Sequence, residues 1–154
     1  MRVNTRGAHV VQYRFRSVTV PRSCGRLTTK IHALVDALGN PVKVMLSPGQ
    51  DHDLTCAQPL IEAVDPGALI ADKAFDADAF VAALDDRAIT PVIPSKSNRK
   101  NARPCDFALY CERNLVERFF NTLKHFRAIA TRYDKLAKTF LAGVQLACAT
   151  ILLN

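Results

Sequence analysis

The stretch TKIHALVDALGNPVKVMLSPG, residues 29–49, decides the fold class. It holds two runs rich in β-branched and apolar residues, roughly 28–36 and 41–47, separated by the turn-forming pair Gly39-Asn40. Two such runs on either side of a short turn that contains glycine predict a β-hairpin. The hairpin supplies two neighbouring strands of a sheet, against which the elements of the rest of the chain must pack.

Beyond the hairpin, helical and extended patterns alternate along the chain. Asp53 and Asp76 stand where the N-caps of two helices are expected. The predicted elements are a helix over 54–64, a buried strand that carries Asp72 at its far end, a helix over 76–87, a strand over 89–94 and helices from residue 110 onward. This order, β-β-α-β-α-β-loop-α-α, is typical of an α/β domain.

Charge is distributed unevenly along the 154 residues. Residues 1–30 carry seven Arg and Lys and no acid, residues 31–95 carry three basic and ten acidic residues, and residues 96–154 carry eleven basic and four acidic residues. An acidic middle between basic flanks suits a carboxylate site beside a polyanion such as DNA. A solvated basic surface without a partner is the alternative interpretation.

The five cysteines are odd in number and form no C-x-x-C pair, which argues against a disulfide framework and against a structural zinc site. They indicate a reducing cytosol. The final stretch, FLAGVQLACATILLN, is apolar but too short to span a membrane. We therefore expect a buried terminal helix and no membrane partner.

The segment YCERNLVERFFNTLK, residues 110–124, predicts an amphipathic helix whose polar face carries a carboxylate among cations. Relative to Glu117, the side chains of Tyr110, Arg113 and Lys124 fall at about +20°, −40° and −20° on a helix of 3.6 residues per turn. A surface ladder of ion pairs would give this spacing. A carboxylate that binds a divalent metal, with cations beside it for phosphate oxygens, would also give it.

Asp72 ends the apolar run Ala68-Leu69-Ile70-Ala71 at a turn of the chain. Carboxylates at strand ends in open α/β sheets face the crevice in which ligands bind. An acid at a strand end can equally be a cap or a solvated group. The residue pattern alone leaves both interpretations open.

These motifs together resemble those of a known family. Tyr110-x2-Arg113-x3-Glu117-x6-Lys124 resembles the signature around the last acid of bacterial insertion-sequence transposases of the DDE class. ADKAFDAD resembles the segment around the second acid of that family, which would be Asp72. LTTKIHALVDALGNP, LSPGQDHDLTCA and RYDKLAKTFLAGVQLA resemble further segments, so the likeness covers about 22–154.

The resemblance implies a ribonuclease H-like fold, a mixed sheet flanked by helices. It also implies cleavage of DNA at transposon ends and joining of the freed 3′ hydroxyl to target DNA with Mg²⁺ or Mn²⁺. By the same resemblance Asp72 and Glu117 would be catalytic metal ligands, and Tyr110, Arg113 and Lys124 would bind transposon-end phosphates. The expected partner is DNA, in the bacterial cytoplasm at the nucleoid, and self-association into a homo-oligomer is left open.

One departure from the family pattern concerns its first acid, which stands on a strand upstream of LTTKIHA. Residues 1–26 contain no Asp or Glu. We therefore expect a basic N-terminal segment over 1–26 that does not match the family, and an incomplete catalytic domain over 27–154 that lacks its first strand. The chain is then expected to be a truncated transposase without strand-transfer activity, or a non-catalytic DNA-binding remnant.

Overall fold

Five strands form one mixed sheet in the spatial order β3-β2-β1-β4-β5. The computed structural model describes residues 12–21, 28–62 and 64–153. The strands are β1 (Gln12–Pro21), β2 (Thr28–Val35), β3 (Pro41–Pro48), β4 (Ala68–Ile70) and β5 (Thr90–Val92). The α-helices are α1 (Leu54–Ile61), α2 (Asp78–Asp86), α3 (Phe107–Tyr110), α4 (Asn114–Lys124), α5 (Arg127–Ala130) and α6 (Ala137–Leu153).

The expectation that the first strand is missing is wrong. β1 occupies the centre of the sheet, antiparallel to β2 and parallel to β4. Its basic composition conceals an ordinary β pattern, because Phe15 packs on one face while Val18 and Val20 pack on the other. Arg14 is fully buried; its charge is paired with the Glu112 carboxylate, and its guanidinium also donates to the main-chain carbonyls of Asp36 and Glu112. The sheet therefore includes a strand from before residue 27, the predicted start of the catalytic domain. The boundary itself stays a prediction.

Helices cover both faces of the sheet. On one face, α1 and α2 bury apolar side chains against Phe15, Leu34 and Leu69. On the other face, α4 and α6 pack against Ile31 and Val35. Each face thus buries its own hydrophobic core, as expected for a layered α/β domain.

The predicted hairpin is confirmed, with β2 and β3 paired antiparallel. Gly39 has a φ of +89°, a backbone conformation that glycine adopts without steric cost. The Asp36 carboxylate accepts hydrogen bonds from the main-chain N–H groups of Leu38 and Asn40, at 2.8 and 2.9 Å. These contacts fix the turn from within.

Of the two expected N-caps, Asp53 is confirmed in its position before α1 but not in its hydrogen bond, and Asp76 is wrong. Asp53 precedes α1, but its carboxylate makes no capping hydrogen bond and instead pairs with Lys30 Nζ at 2.9 Å. The residue before α2 is Ala77, and Asp76 is buried against two arginines. In both cases a tertiary ion pair has taken the carboxylate that a local cap would have used.

The late amphipathic helix is interrupted. α3 ends at Tyr110, a 3-10 turn covers Cys111–Arg113, and α4 begins at Asn114. Arg14 Nε donates to the main-chain carbonyl of Glu112 within this turn, which anchors it to β1. The backbone stays in the right-handed helical region through this turn, and its tighter 3-10 winding shifts Tyr110 relative to Glu117 from the positions that an ideal α-helix predicts.

Candidate active site

Asp72 lies directly beyond β4 and caps the 3-10 helix Lys73–Phe75, where its Oδ1 accepts from Ala74 N at 2.8 Å. It also lines an open cleft of about 930 Å³ between the end of β4, the loop after β5 and α3. The polar side chains around this cleft are Asp72, Lys73, Lys96, Ser97, Asn98, Tyr110 and Arg113. The carboxylate is thus both a cap and a cleft residue, and the two interpretations of Asp72 do not exclude each other.

Glu117 lies in the first turn of α4 and is held by two arginines. Its Oε1 is 2.8 Å from Arg113 Nη2 and 2.7 Å from Arg16 Nη1. The pair with Arg113 is the i, i+4 ion pair that the sequence spacing allows. The pair with Arg16 joins α4 to the central strand.

Arg16 is the site residue that the sequence analysis missed. Arg14 pairs with Ile70 in the parallel register of β1 and β4, so Arg16 and Asp72 follow two residues further along each chain. Alternation along a strand places Arg16 on the same face as Arg14, toward α4. The resemblance puts an acid on this upstream strand, whereas the strand here presents a guanidinium to Glu117. The alternation of Arg14 and Arg16 with apolar residues was the signal available in the sequence.

The pKa of the Tyr110 phenol responds to both Asp72 and Glu117. The pKa of its phenol lies above the usual value, chiefly because the side chain is partly buried. Arg113 lowers this pKa, and the carboxylates of Asp72 and Glu117 raise it further. The Arg113 guanidinium also lies 5.5 Å from the centroid of the Tyr110 ring, within the range of a cation–π contact. Tyr110, Arg113 and Asp72 therefore line one cleft, and Glu117 adjoins it through its ion pair with Arg113.

Lys124 does not reach this cleft. It ends α4, about 10 Å along the helix axis from Glu117 at 1.5 Å per residue. Its neighbours line a smaller apolar cleft between β1, α4 and α5, which includes Val20 and Ile129. The helical face predicted for Lys124 does not bring it into the cleft of Asp72.

These residues do not fit a divalent metal as they stand. Among the residues that the structure describes, no group of three or more His, Cys, Asp or Glu side chains is arranged to hold a metal ion. Asp72 and Glu117 supply one carboxylate each, and Glu117 is already paired with Arg16 and Arg113. A guanidinium keeps its positive charge at any physiological pH and therefore opposes a cation at the same position.

A second acid held by two arginines lies beside the cleft. Asp76 Oδ2 accepts from Arg99 Nε and from Lys96 N, both at 2.8 Å, and its Oδ1 accepts from Arg103 Nη1 at 2.6 Å. Burial alone would raise the pKa of this carboxyl, but these hydrogen bonds and the two guanidinium charges hold the pKa below its usual value. The sequence analysis missed this cluster because each partner lies at least 20 residues from Asp76 in the chain.

The fold and the position of the two carboxylates define the class of protein. A five-stranded mixed sheet with a central first strand, helices on both faces and acids after β4 and on α4 is a ribonuclease H-like domain. The catalytic core domain of HTLV-2 integrase, solved with magnesium in a dimeric form, is similar with a TM-score of 0.56 at 13% identity, over 90% of this chain and 83% of that one. The core domain of BIV integrase gives 0.54 at 17% identity, over 90% and 81%. These likenesses confirm the predicted fold.

Sequence comparison narrows the class to a family. The transposase DDE domain model matches residues 16–152. A putative transposase for insertion sequence element IS6501 of Brucella ovis is 40% identical over 132 residues, covering 83% of this chain and all of the relative. A putative transposase for IS402 of Burkholderia cepacia is 30% identical over 146 residues, covering 87% of this chain and 67% of the relative. The chain belongs to the DDE transposase family, as the resemblance predicted.

The described helices bear on one further expectation. None of them combines the length and the apolar character that crossing a membrane requires. The longest helix, α6, is 17 residues long and packs on the sheet through Phe140 and Val144. The expectation that it is buried is wrong for its other face, because Leu146 and Leu153 are exposed.

Proposed function

We propose that this chain acts in DNA transposition as a DNA-binding transposase domain that does not itself cut or join strands. The observation that carries the proposal is the pairing of Glu117 Oε1 with both Arg16 and Arg113. Arg16 stands on the strand where the family pattern has an acid, so a cation occupies the place of a metal ligand.

The physical argument rests on charge. Two positive charges 4 Å apart repel by roughly 4 kcal/mol at an effective dielectric constant near 20, and a divalent ion doubles that figure. Solvent screening reduces the repulsion here because Arg16 and Arg113 are each about one-third exposed. The interaction between the guanidinium groups and a metal ion nevertheless stays repulsive, since guanidinium groups do not deprotonate in proteins. Mg²⁺ or Mn²⁺ would therefore bind between Asp72 and Glu117 only after the Arg16 charge is removed.

Binding to DNA is the function that the same cations favour. Lys73, Lys96 and Arg113 line the cleft beside Tyr110. Cations at such a surface bind backbone phosphates and release counterions, without reading the base sequence. We propose that Tyr110 and Arg113 contact phosphates at the cleft and that Lys124 contacts the backbone further along α4. The protein would then reside on nucleoid DNA in the bacterial cytoplasm, where mixing with an intact transposase would make it an inhibitor.

An activity assay tests the proposal with a variant in which an acid replaces the arginine on β1. The chain and its Arg16→Asp variant are incubated with Mg²⁺ or Mn²⁺ and a labelled duplex that carries the terminal repeats of the encoding element. We expect no cleavage by the unmodified chain and DNA binding by both proteins. Metal-dependent cleavage by the unmodified chain that is lost in Asp72→Ala would overturn the proposal, because Asp72 would then serve a working centre.

A further inference from the structure

We infer that Asp76 is a positioning residue that latches the basic loop between β5 and α3 onto the rim of the cleft, so that Lys96, Ser97 and Asn98 face bound DNA. This inference deepens the proposed function and rests on it. We call residues 95–104 the latch loop. It carries the sequence SKSNRKNARP, with four cations and no acid.

The latch loop has no apolar anchor of its own. In the described stretch from Pro94 to Pro104, no residue is buried, and none belongs to a helix or a strand. Polar contacts must therefore determine where the loop lies. One of them closes the loop on itself, because Arg103 N donates to Ser95 Oγ at 2.8 Å.

Asp76 supplies the contacts that join the latch loop to the rest of the domain. Its side chain is only 1% exposed, and both of its oxygens accept hydrogen bonds from the loop. The donors are spread from the beginning of the loop, at Lys96 N, to its end, at Arg103. A single buried carboxylate therefore fixes both ends of the loop.

The contacts separate three of the loop's four cations into two groups. Arg99 and Arg103 are turned toward Asp76 and Asp78. Lys96 lies on the cleft side with Ser97 and Asn98. Because Asp76 accepts a hydrogen bond from the main-chain N–H of Lys96, it fixes the position from which the Lys96 side chain projects into the cleft.

Asp78 offers a matched control. Its Oδ1 pairs with the same two arginines, with Arg99 Nη1 at 2.8 Å and also with Arg103. It is 79% exposed, however, and accepts no main-chain hydrogen bond from the loop. Replacing either aspartate with asparagine changes the net charge by the same amount, so a difference between the two variants reflects the burial and the loop contacts of Asp76 and not net charge.

The experiment measures the affinity for a fluorescein-labelled 20-base-pair duplex by anisotropy at several salt concentrations. Simple charge predicts tighter binding for both Asp76→Asn and Asp78→Asn, because each removes a negative charge. The latch predicts the opposite sign for Asp76→Asn, with affinity about fivefold lower near 0.15 M salt if one phosphate contact is lost. Its salt slope should also fall by about one, while that of Asp78→Asn should not.

A double-mutant cycle tests whether the effect passes through Lys96. Lys96→Ala should weaken binding in the unmodified chain and change little in the Asp76→Asn background, because contacts in one network are not additive. Arg99→Lys provides a variant with unchanged charge in case Asp76→Asn does not fold. A lysine cannot reach both aspartates as the arginine fork does, so weaker binding is expected again.

Four results separate the outcomes. Binding by Asp76→Asn that equals or exceeds that of Asp78→Asn, with an unchanged slope, would overturn the latch, and so would an additive cycle. If the unmodified chain shows no salt-dependent binding, the proposed function fails instead. The latch is then judged without DNA, by whether trypsin cuts the latch loop faster in Asp76→Asn than in Asp78→Asn; equal rates would reject it.

Discussion

Asp76 and Glu117 are each held by two arginines, and they differ in burial. Asp76 is 1% exposed and bonded through both oxygens, whereas Glu117 is 35% exposed and is bound through Oε1 by both of its arginines. Exposed ion pairs contribute little to stability, but removal of one partner from a buried pair leaves charges without compensation. The comparison indicates that the Asp76 cluster contributes more to the stability of the fold than the Glu117 cluster does.

The largest effect expected from this comparison is on stability. Asp76→Ala should lower the free energy of unfolding by about 3 kcal/mol, because three hydrogen bonds to a buried carboxylate are lost and Arg99 and Arg103 keep only the exposed Asp78. Glu117→Ala should lower it by about 1 kcal/mol or less, because solvent already screens that pair. Urea unfolding of both variants measures the difference. Equal losses would show that burial does not distinguish the two clusters.

The pH dependence should follow the same cluster. In the folded protein the pKa of Asp76 lies below its ordinary value of 3.8, owing to the hydrogen bonds from Arg99 and Lys96 and despite burial. A lowered pKa stabilises the fold while the carboxyl is ionised, so this contribution is complete above the unfolded pKa and is lost as pH falls through the folded one.

Urea unfolding between pH 3 and pH 7 checks this expectation. The stability difference between the unmodified chain and Asp76→Asn should be constant near neutral pH and should shrink below about pH 4. Asp78→Asn serves as the control and should give a smaller change, because Asp78 is exposed. A difference that grows as the pH falls would contradict the assignment.

Metal affinity should respond to Arg16 rather than to Asp76. Arg16→Asp adds a carboxylate beside Asp72 and Glu117, and more carboxylates in a site tighten the binding of a hard cation. We expect roughly tenfold or more tighter Mn²⁺ binding than in Arg16→Ala, which removes the guanidinium without adding a ligand. Calorimetric titration measures both affinities. Similar affinities in the two variants would mean that the strand does not bring position 16 to the carboxylates.

The smallest expected effect concerns individual DNA contacts. Arg113→Ala and Lys124→Ala should each weaken binding to a duplex about fivefold near 0.15 M salt and reduce the salt slope by about one. Because Lys124 lies outside the cleft of Asp72, the two losses should be additive. Anisotropy titrations of the single and double variants provide the test. An unchanged slope in the double variant would show that these cations serve the fold or the solvent.

Local signals in the sequence predicted part of this molecule. Gly39-Asn40 and the runs around it predicted the hairpin, and the spacing of Arg113 and Glu117 predicted their ion pair. The acid at the end of β4 was likewise found from the apolar run before it. Each of these features depends on residues that are close together in the chain.

The features that the sequence did not reveal depend on distant partners. β1 was missed because the burial of Arg14 depends on acceptors at Asp36 and Glu112, 22 and 98 residues away. Asp76 matches the sequence pattern of a cap, but in the folded chain its oxygens accept from arginines 23 and 27 residues further on. Propensity and periodicity carry no information about such pairings, so they became visible only in the folded chain.

The buried Arg14 has a consequence for motion. Its guanidinium donates to the carbonyls of Asp36 and Glu112, both at 3.3 Å, and so ties the 3-10 turn between α3 and α4 to the middle of the sheet. The turn therefore cannot act as a free hinge, and Tyr110 and Glu117 on either side of it must shift together. The wall of the cleft formed by α3 and the beginning of α4 then moves as one body with the sheet, so Tyr110 and Arg113 keep their places relative to Asp72 at the end of β4.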